Sequence, residues 1–271
     1  MIISKRIKKF LRDYQPKEHW NIDARKATNT FLCLSEFIQI KPVDFFSHFN
    51  EFIRPLKSDY QPKWLNFRDE RREKHAAYFE TIKYSDFSVF EQALNSIPDD
   101  CQLQISNSSI IRYAQLFSMK ANVNIFCNRG TSGIDGSTST AIGAAFANKE
   151  QTVFITGDLS FFYDSNGLWN SNIPKSFRII IINNSGGGIF RIIPGPKRSN
   201  ATKYFETPHC LTAAHLCNMH QFAYQKAYSA ETVAQELNGF FEISEKPKIL
   251  EIFTPSAEND LVLKDYFKYI Q

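Results

Sequence analysis

The sequence lacks any apolar run that approaches the ~20 residues needed to cross a bilayer. Its first residues, MIISKRIKKFLRDYQ, are basic and are interrupted by charge every few positions, so they contain no apolar segment of a secretory signal. Repeats and low-complexity tracts are also lacking. These absences argue against a membrane protein, a secreted protein and a repeat array, and we expect an ordinary soluble globular chain.

Cysteine is scarce, odd in number and irregularly spaced, with five residues in 271. This pattern predicts reduced thiols and a cytoplasmic protein. One stretch gathers soft metal ligands within twelve positions, namely His209, Cys210, His215, Cys217 and His220. The spacing matches neither the CxxC nor the HxxxH pairs of zinc sites, so we interpret these side chains as ordinary loop and helix residues.

Positive charge is in small excess, with a net charge of +4. Lysine and arginine cluster near the amino terminus instead of forming a stripe with interleaved aromatics, which argues against nucleic-acid binding. The composition, 43% hydrophobic and 22% charged, is that of a globular protein, and the length suffices for one large domain or one and a half.

The second half of the chain alternates strand and helix patterns. We predict strands at residues 102–106 and 124–127 and in the apolar runs near 152, 179 and 248, with helices at 110–117 and 139–147. Such alternation specifies an α/β fold with a doubly wound parallel sheet and helices on both faces. Residues 18–56 have the pattern of the tail of a small α/β unit, and the turn residues from 55 to 62 predict a linker.

The stretch from residue 156 to 190 organises the chain. Two apolar β-rich runs end abruptly there, one in Gly157-Asp158 and the other in Asn183-Asn184 followed by SGGG. Runs of this kind indicate neighbouring buried parallel strands. Ligands of open α/β sheets bind beyond the carboxyl ends of the strands, so we expect a site at this edge.

The polar groups at this edge are hard oxygen donors. Asp158 offers a carboxylate, Asn184 offers an amide carbonyl, and the glycine loop offers a backbone carbonyl near Gly186. Oxygen donors without thiolate or imidazole suit Mg²⁺ or Mn²⁺, which are bound by few protein groups together with phosphates. We therefore predict a metal-bridged diphosphate, with N–H groups after Asp158 as further anion donors.

Gly157-Asp158 followed by Asn183-Asn184 resembles the signature of thiamin-diphosphate (ThDP) enzymes, on their pyrophosphate-binding domain. NRGTSGIDG at 128–136, GDLS at 157–160 with Tyr163-Asp164 close behind, and NNSGGGIF at 183–190 narrow the resemblance to the MenD family. These are the 2-succinyl-5-enolpyruvyl-6-hydroxy-3-cyclohexene-1-carboxylate synthases of menaquinone biosynthesis. The resemblance implies a ThDP-dependent transferase with Mg²⁺ or Mn²⁺, which decarboxylates 2-oxoglutarate and adds the succinyl semialdehyde unit to isochorismate.

The resemblance also implies roles for single residues. It makes Ile134 the apolar wedge that bends ThDP. It places at the cofactor Asn107, Ser132, Gly133, Ile134, Gly157, Asp158, Leu159, Ser160, Asn184 and Gly186. It places at the substrates Lys5, Arg6, Ser108, Arg112, Arg129, Ile189 and Phe190. Without the resemblance, three other interpretations stay open. Arg112 and Arg129 could form structural ion pairs, and Ile189 and Phe190 could serve packing. Lys5 and Arg6 could form a solvated helix start.

The resemblance implies residues 1–60 as the tail of a middle domain with its linker and 61–271 as the pyrophosphate-binding domain. In this family the activating glutamate lies on a pyrimidine-binding domain, in cis or on a partner subunit, and no Glu here lies in a matching motif. We therefore assign no catalytic residue to this chain, and we expect a homo-oligomer for the complete enzyme and no turnover by the isolated chain. Two alternatives stay open: a decarboxylase or acetolactate-synthase-like ThDP enzyme, and a non-catalytic metal-diphosphate-binding half.

Overall fold

The computed structural model describes residues 4–193, 195–196 and 200–271, apart from the side chain of Lys5. The chain divides into two compact units, Met1–Leu65 and Asn66–Gln271. Within the described residues, no helix is both long enough and apolar enough to cross a bilayer. All five cysteines lie in the described part and are free thiols.

The described residues of the first unit form two short parallel strands and two complete helices, and the unit ends within a third helix. Ser4 caps its first helix, because the Ser4 hydroxyl accepts the Ile7 N–H at 3.3 Å. The second helix begins with Pro42. Proline has no N–H, which costs nothing at a helix start because the first N–H groups of a helix have no partner within it. The elements are α1 (Lys5–Asp13), β1 (Trp20–Ile22), β2 (Glu36–Ile38) and α2 (Pro42–Phe52). A long helix, α3 (Tyr60–Phe79), contains the boundary between the units.

The second unit is built on a parallel sheet. Its strands are β3 (Gln102–Ile105), β4 (Asn124–Cys127), β5 (Thr152–Gly157), β6 (Arg178–Asn183), β7 (Ala223–Ala227) and β8 (Lys248–Phe253). Their order across the sheet is β4-β3-β5-β6-β8-β7, and every neighbouring pair is parallel. The predicted adjacency of the runs near 152 and 179 is confirmed, because β5 pairs directly with β6.

The central strand β6 shows why the sheet is covered on both faces. Successive side chains of a strand point to opposite faces. Ile180 and Ile182 pack into one buried cluster, whereas Ile179 and Ile181 pack into another. Because both sets are fully buried, helices must lie on both sides of the sheet, and the predicted fold class is confirmed.

The helices connect the strands in the expected alternation. They are α4 (Asp86–Ser96), α5 (Ser109–Ala114), α6 (Ser137–Ala147), α7 (Asp158–Tyr163), α8 (Ile189–Ile192), α9 (Ala201–Phe205), α10 (Ala214–Met219), α11 (Ala230–Leu237) and α12 (Asn259–Tyr269), with a 3₁₀ turn at Ser165–Leu168. The helix predicted at 110–117 is shorter than expected, because α5 ends at Ala114. Strand β7 and the helix α11 that follows it were not predicted. β7 reads AYQKA and lies at the sheet edge, so it has no buried apolar run to reveal it.

Candidate functional site

The chain reverses its direction across the sheet between β3 and β5. From β3 it moves outward to the edge strand β4, and it then returns to the other side of β3 to form β5. Such a reversal leaves a crevice between the loops that follow the two strands, and ligands of open α/β sheets bind there. A cavity of about 430 Å³ lies at this place, lined by residues that follow β3, β4, β5 and β6.

Most residues predicted from the sequence line this cavity. They are Asn107, Ser108, Ser132, Gly133, Ile134, Gly157, Asp158, Leu159, Ser160, Asn184, Gly186, Ile189 and Phe190. Arg112 and Arg129 are not lining residues but contact two of them. Lys5 and Arg6 lie at the start of α1 in the first unit, where Arg6 is exposed and the side chain of Lys5 lies outside the described residues. The substrate role of these two residues stays a prediction.

Asp158, the first residue of α7, is buried and has partners on both carboxylate oxygens. Oδ1 accepts the N–H of Leu159 at 2.7 Å, and Oδ2 accepts the N–H of Gly186 at 2.9 Å. The second bond joins the loop after β6 to the end of β5. Asp158 and the glycine loop therefore lie together at one edge of the sheet.

His209 is a third partner of Asp158, and the sequence reasoning missed it. Its Nε2 lies 3.1 Å from Asp158 Oδ2, and its Nδ1 accepts the N–H of Leu211 at 3.1 Å. Since Nδ1 is an acceptor, Nε2 carries the hydrogen and donates to the carboxylate. Among the described residues, no three His, Cys, Asp or Glu side chains form a group that could hold a metal ion. His209 is thus a hydrogen-bond partner of Asp158.

Asn184 is oriented by a second carboxylate. Its Nδ2 donates to Asp86 Oδ2 at 2.8 Å, and its Oδ1 is buried without a hydrogen-bond partner. Among the described residues that line the cavity, no other buried side-chain oxygen or nitrogen lacks a partner. An unpaired buried acceptor costs about 1–3 kcal/mol, so Asn184 Oδ1 is a group that a bound ligand would satisfy.

Asp86 is the second negative charge at this edge. Burial raises the pKa of Asp86 to about 6, the hydrogen bonds from Thr254 and Asn184 oppose the rise, and the charge of Asp158 adds to it. The charges of the two carboxylates therefore oppose each other. A cation between them would relieve this repulsion.

Gly186 can only be glycine in this backbone. Its φ is +148°, and a Cβ here would lie 2.5 Å from the backbone oxygen of Glu206. Glu206 is held by Arg191, with Nε–Oε1 at 2.5 Å and Nη2–Oε2 at 2.8 Å. The carbonyl of Gly186 accepts the Gly188 N–H at 3.0 Å, which uses one of its two lone pairs and leaves the other for a ligand.

Two arginines contact lining residues of the cavity and have no carboxylate partner in the described part of the chain. Arg112 Nη1 donates to the Ser108 carbonyl at 2.5 Å, and Arg129 Nη1 donates to the side-chain oxygen of Asn107. Burial lowers the pKa of Arg112, and the charge of Arg129 lowers it further. Neither forms a salt bridge within the described part of the chain. An anion bound here would neutralise two adjacent positive charges.

The loops around the cavity are tied to one another. Asn107 Nδ2 donates to the carbonyls of Ser132 and Gly133, and the Ser160 hydroxyl donates to the carbonyl of Ile134 at 2.6 Å. Ile189 is buried, and the ring of Phe190 lies 5.2 Å from that of Phe205. The sequence reasoning did not select nine further lining residues, namely Ser109, Ile110, Tyr163, Ile182, Gly187, Gly188, Tyr204, Phe205 and Thr207.

Comparison with known protein families identifies the class. The model of the thiamine pyrophosphate enzyme, C-terminal TPP binding domain, matches residues 107–252. The chain belongs to this family, and thiamine pyrophosphate is ThDP under another name. The predicted ThDP cofactor is therefore confirmed, whereas the divalent ion stays a prediction.

Individual relatives narrow the class. The chain is 53% identical over 269 residues to a 2-succinyl-5-enolpyruvyl-6-hydroxy-3-cyclohexene-1-carboxylate synthase of Flavobacterium psychrophilum, covering 99% of this chain and 49% of the relative. It is 52% identical, with the same coverage, to the synthase of that name from Flavobacterium johnsoniae. The corresponding protein of Bacteroides thetaiotaomicron is 34% identical over 274 residues. The resemblance to the MenD family is thus confirmed, and the chain spans about half the length of the curated relatives it matches.

Proposed function

We propose that the chain forms the ThDP- and metal-binding part of a synthase that makes 2-succinyl-5-enolpyruvyl-6-hydroxy-3-cyclohexene-1-carboxylate in menaquinone biosynthesis. The reaction would decarboxylate 2-oxoglutarate and add the succinyl semialdehyde unit to isochorismate. The observation that carries the proposal is a cavity with hard oxygen donors and two arginines, without carboxylate partners in the described part of the chain, that contact its lining residues Ser108 and Asn107. The printed names of the relatives, over the whole length of this chain, support it.

The donor set fits a divalent ion bound to a diphosphate. Asp158 would supply a carboxylate oxygen, Asn184 its unpartnered Oδ1, and Gly186 the free lone pair of its carbonyl. Hard oxygen donors of this kind suit Mg²⁺ or Mn²⁺. ThDP supplies the electron sink for the decarboxylation, and the chain orients it and neutralises charge. Contacts to ThDP from Asn107, Ser132, Gly133, Gly157, Leu159 and Ser160, and the wedge role of Ile134, belong to the same proposal.

Both substrates carry several carboxylates, which gives the arginines a chemical purpose. Arg112 and Arg129 would bind a substrate carboxylate with Ser108, because guanidinium forks match carboxylates in bidentate pairs. Ile189 and Phe190 would form the apolar wall of the substrate pocket. Lys5 and Arg6 are further candidates for carboxylate binding, on the tail of a middle domain.

The activating glutamate of this chemistry would come from a pyrimidine-binding domain, in cis or from a partner subunit. We assign no catalytic residue to the chain itself, and a cytoplasmic homo-oligomer belongs to the same proposal. Adding the amino-terminal half of the Flavobacterium psychrophilum relative in trans tests this point. With ThDP, Mg²⁺, 2-oxoglutarate and isochorismate present, product formation should depend on the added half.

The experiment that tests the substrate assignment is Arg129→Ala in the active protein. The KM for 2-oxoglutarate or isochorismate should rise by about 10-fold or more, because a charge-assisted hydrogen bond contributes about 1.5–3 kcal/mol. The Kd of ThDP should change by less than about 2-fold. Arg72→Ala, at an exposed arginine of α3, is the matched control. Equal weakening of ThDP and substrate, or of neither, would contradict a substrate role for Arg129.

A further inference from the structure

Asp86 is held rigidly over the ends of two central strands. It is the first residue of α4, which begins at Ser85 with a reciprocal capping box to Ser88. Its N–H donates to Asn259 Oδ1 at 2.8 Å, and the hydroxyl of the nearby Tyr84 donates to the Phe253 carbonyl at 2.8 Å. The start of α4 is therefore fixed to the end of β8, the strand that pairs with β6.

The carboxylate of Asp86 has only neutral partners. Oδ1 accepts the Thr254 hydroxyl at 2.5 Å, and Oδ2 accepts Asn184 Nδ2 at 2.8 Å. The residue is only 3% exposed, and no Lys, Arg or His pairs with it within the described part of the chain. A buried carboxylate without a cation costs stability. Its position in the first turn of α4 offsets part of this cost, and its hydrogen bond to Asn184 indicates a further role at the site.

That role follows from which groups can donate. A carboxylate only accepts hydrogen bonds, so the NH₂ group of Asn184, and not its oxygen, must face Asp86. The Asn184 Oδ1 is then forced to the opposite side, where it is buried and unpartnered. If the amide turned over, it would present NH₂ at this position, and an amide nitrogen with two hydrogens does not bind a divalent ion. The negative charge of Asp86 also polarises the amide and increases the electron density on Oδ1.

We propose that Asp86 is a positioning residue for the divalent ion of ThDP, which acts by fixing the side-chain amide of Asn184 with its oxygen toward the metal. The inference rests on the proposed metal site at Asp158, Asn184 and Gly186. Asp86 does not touch the metal itself.

The test is the affinity of the protein for Mn²⁺ at saturating ThDP, measured from the electron paramagnetic resonance signal of free Mn²⁺. Asp86→Leu, which removes both acceptor oxygens at similar volume, should raise the Kd of Mn²⁺ by about 10- to 100-fold. Asp86→Asn retains one acceptor oxygen, and its Kd should lie between those of Asp86→Leu and the unchanged protein. If Asp86→Leu fails to fold, Asp86→Asn alone still has to weaken Mn²⁺ binding.

Asp260→Leu is the matched control, because Asp260 is also a buried carboxylate, on α12, and it pairs with Lys264 and is not one of the proposed metal donors. It should lower the melting temperature without changing the Kd of Mn²⁺ by more than about 2-fold. If both Leu variants weaken Mn²⁺ equally, Asp86 acts only through the stability of the fold, and the proposal is overturned.

A double-mutant cycle shows whether Asp86 acts through Asn184. If it does, Asp86→Leu adds little to the Kd of Mn²⁺ once Asn184→Ala is present, so the two effects are strongly non-additive. Additive effects would overturn the inference. Asp158→Ala distinguishes failure of the proposed metal site from failure of the positioning role of Asp86. Unchanged Mn²⁺ binding in Asp158→Ala would refute the metal site itself. Weaker Mn²⁺ binding in Asp158→Ala, together with unchanged binding in the Asp86 variants, would refute only the positioning role.

Discussion

The two ends of β6 differ in how completely their polar groups are paired. At the amino end, the guanidinium of the fully buried Arg178 donates to the carbonyls of Lys175, Phe240 and Glu242, among other acceptors. At the carboxyl end, Asn184 has an oxygen with no partner. The first end is saturated, as a group with only a structural role should be. The second end leaves an acceptor for a ligand.

The same contrast separates two adjacent residues. Asn183 Nδ2 donates to Glu251 and to the Leu211 carbonyl, and its Oδ1 accepts the Ser185 N–H at 3.0 Å. Every polar atom of that side chain thus has a partner, whereas Asn184 Oδ1 has none. The paired asparagine motif therefore combines one residue that shapes the loop with one that is free to bind.

The largest effect should follow from Asp158→Ala, directly after β5, whose carboxylate bonds the loop at the carboxyl end of β6. The Kd of ThDP in the presence of Mg²⁺ should rise by more than about 100-fold, since Asp158 is a proposed direct ligand of the ion and loss of such a ligand exceeds the 10- to 100-fold typical of an outer partner. Isothermal titration at a temperature well below unfolding measures this. Asp260→Ala serves as the buried-carboxylate control, and ThDP binding that survives in Asp158→Ala would show that the two ends do not differ in function.

Arg178→Met tests the saturated end. Three carbonyls lose their donor at about 1 kcal/mol or more each, so the free energy of unfolding in urea should fall by about 3 kcal/mol or more. The Kd of ThDP, measured where the variant is folded, should stay within about 2-fold. Arg72→Met on the exposed face of α3 should change stability by less than about 0.5 kcal/mol. A large change in Kd with unaltered stability would contradict the structural role.

A smaller effect, on both the stability of the protein and its affinity for Mn²⁺, is expected for Gly186→Ala. The positive φ and the close Glu206 oxygen should lower the free energy of unfolding by about 1–3 kcal/mol, and Mn²⁺ should bind more weakly because the N–H to Asp158 shifts. Gly143→Ala is the control, since Gly143 lies in α6 with no atom within 4 Å of an added Cβ. That change should stabilise the protein by up to about 1 kcal/mol. Urea unfolding and Mn²⁺ titration of both variants would show whether backbone geometry at Gly186 matters.

The sequence predicted the structure best where the structure depends on residues that are close together in the sequence. β5 and β6 could be predicted because each is a buried apolar run that ends in polar residues, and the two motifs at their ends, residues 157–158 and 183–188, could be located because each is local. The edge strand β7 has no such run. The partners of the site residues could not be predicted, because Asp86 is 98 positions from Asn184 and His209 is 51 positions from Asp158. Strand order, which local patterns do not encode, brings these segments together.

The position of β8 between β6 and β7 also affects how the chain folds during synthesis. One edge of β6 pairs only with β8, whose first residue, Lys248, lies opposite Arg178. Until residues 248–253 have left the ribosome, this edge of an Ile-rich strand presents unpaired N–H and C=O groups, which are a template for aggregation. Thr254, the partner of Asp86, emerges directly after β8. Because β8 is the last strand of the described sheet along the chain, the sheet and the surroundings of Asn184 become complete almost simultaneously, once residues 248–254 have emerged.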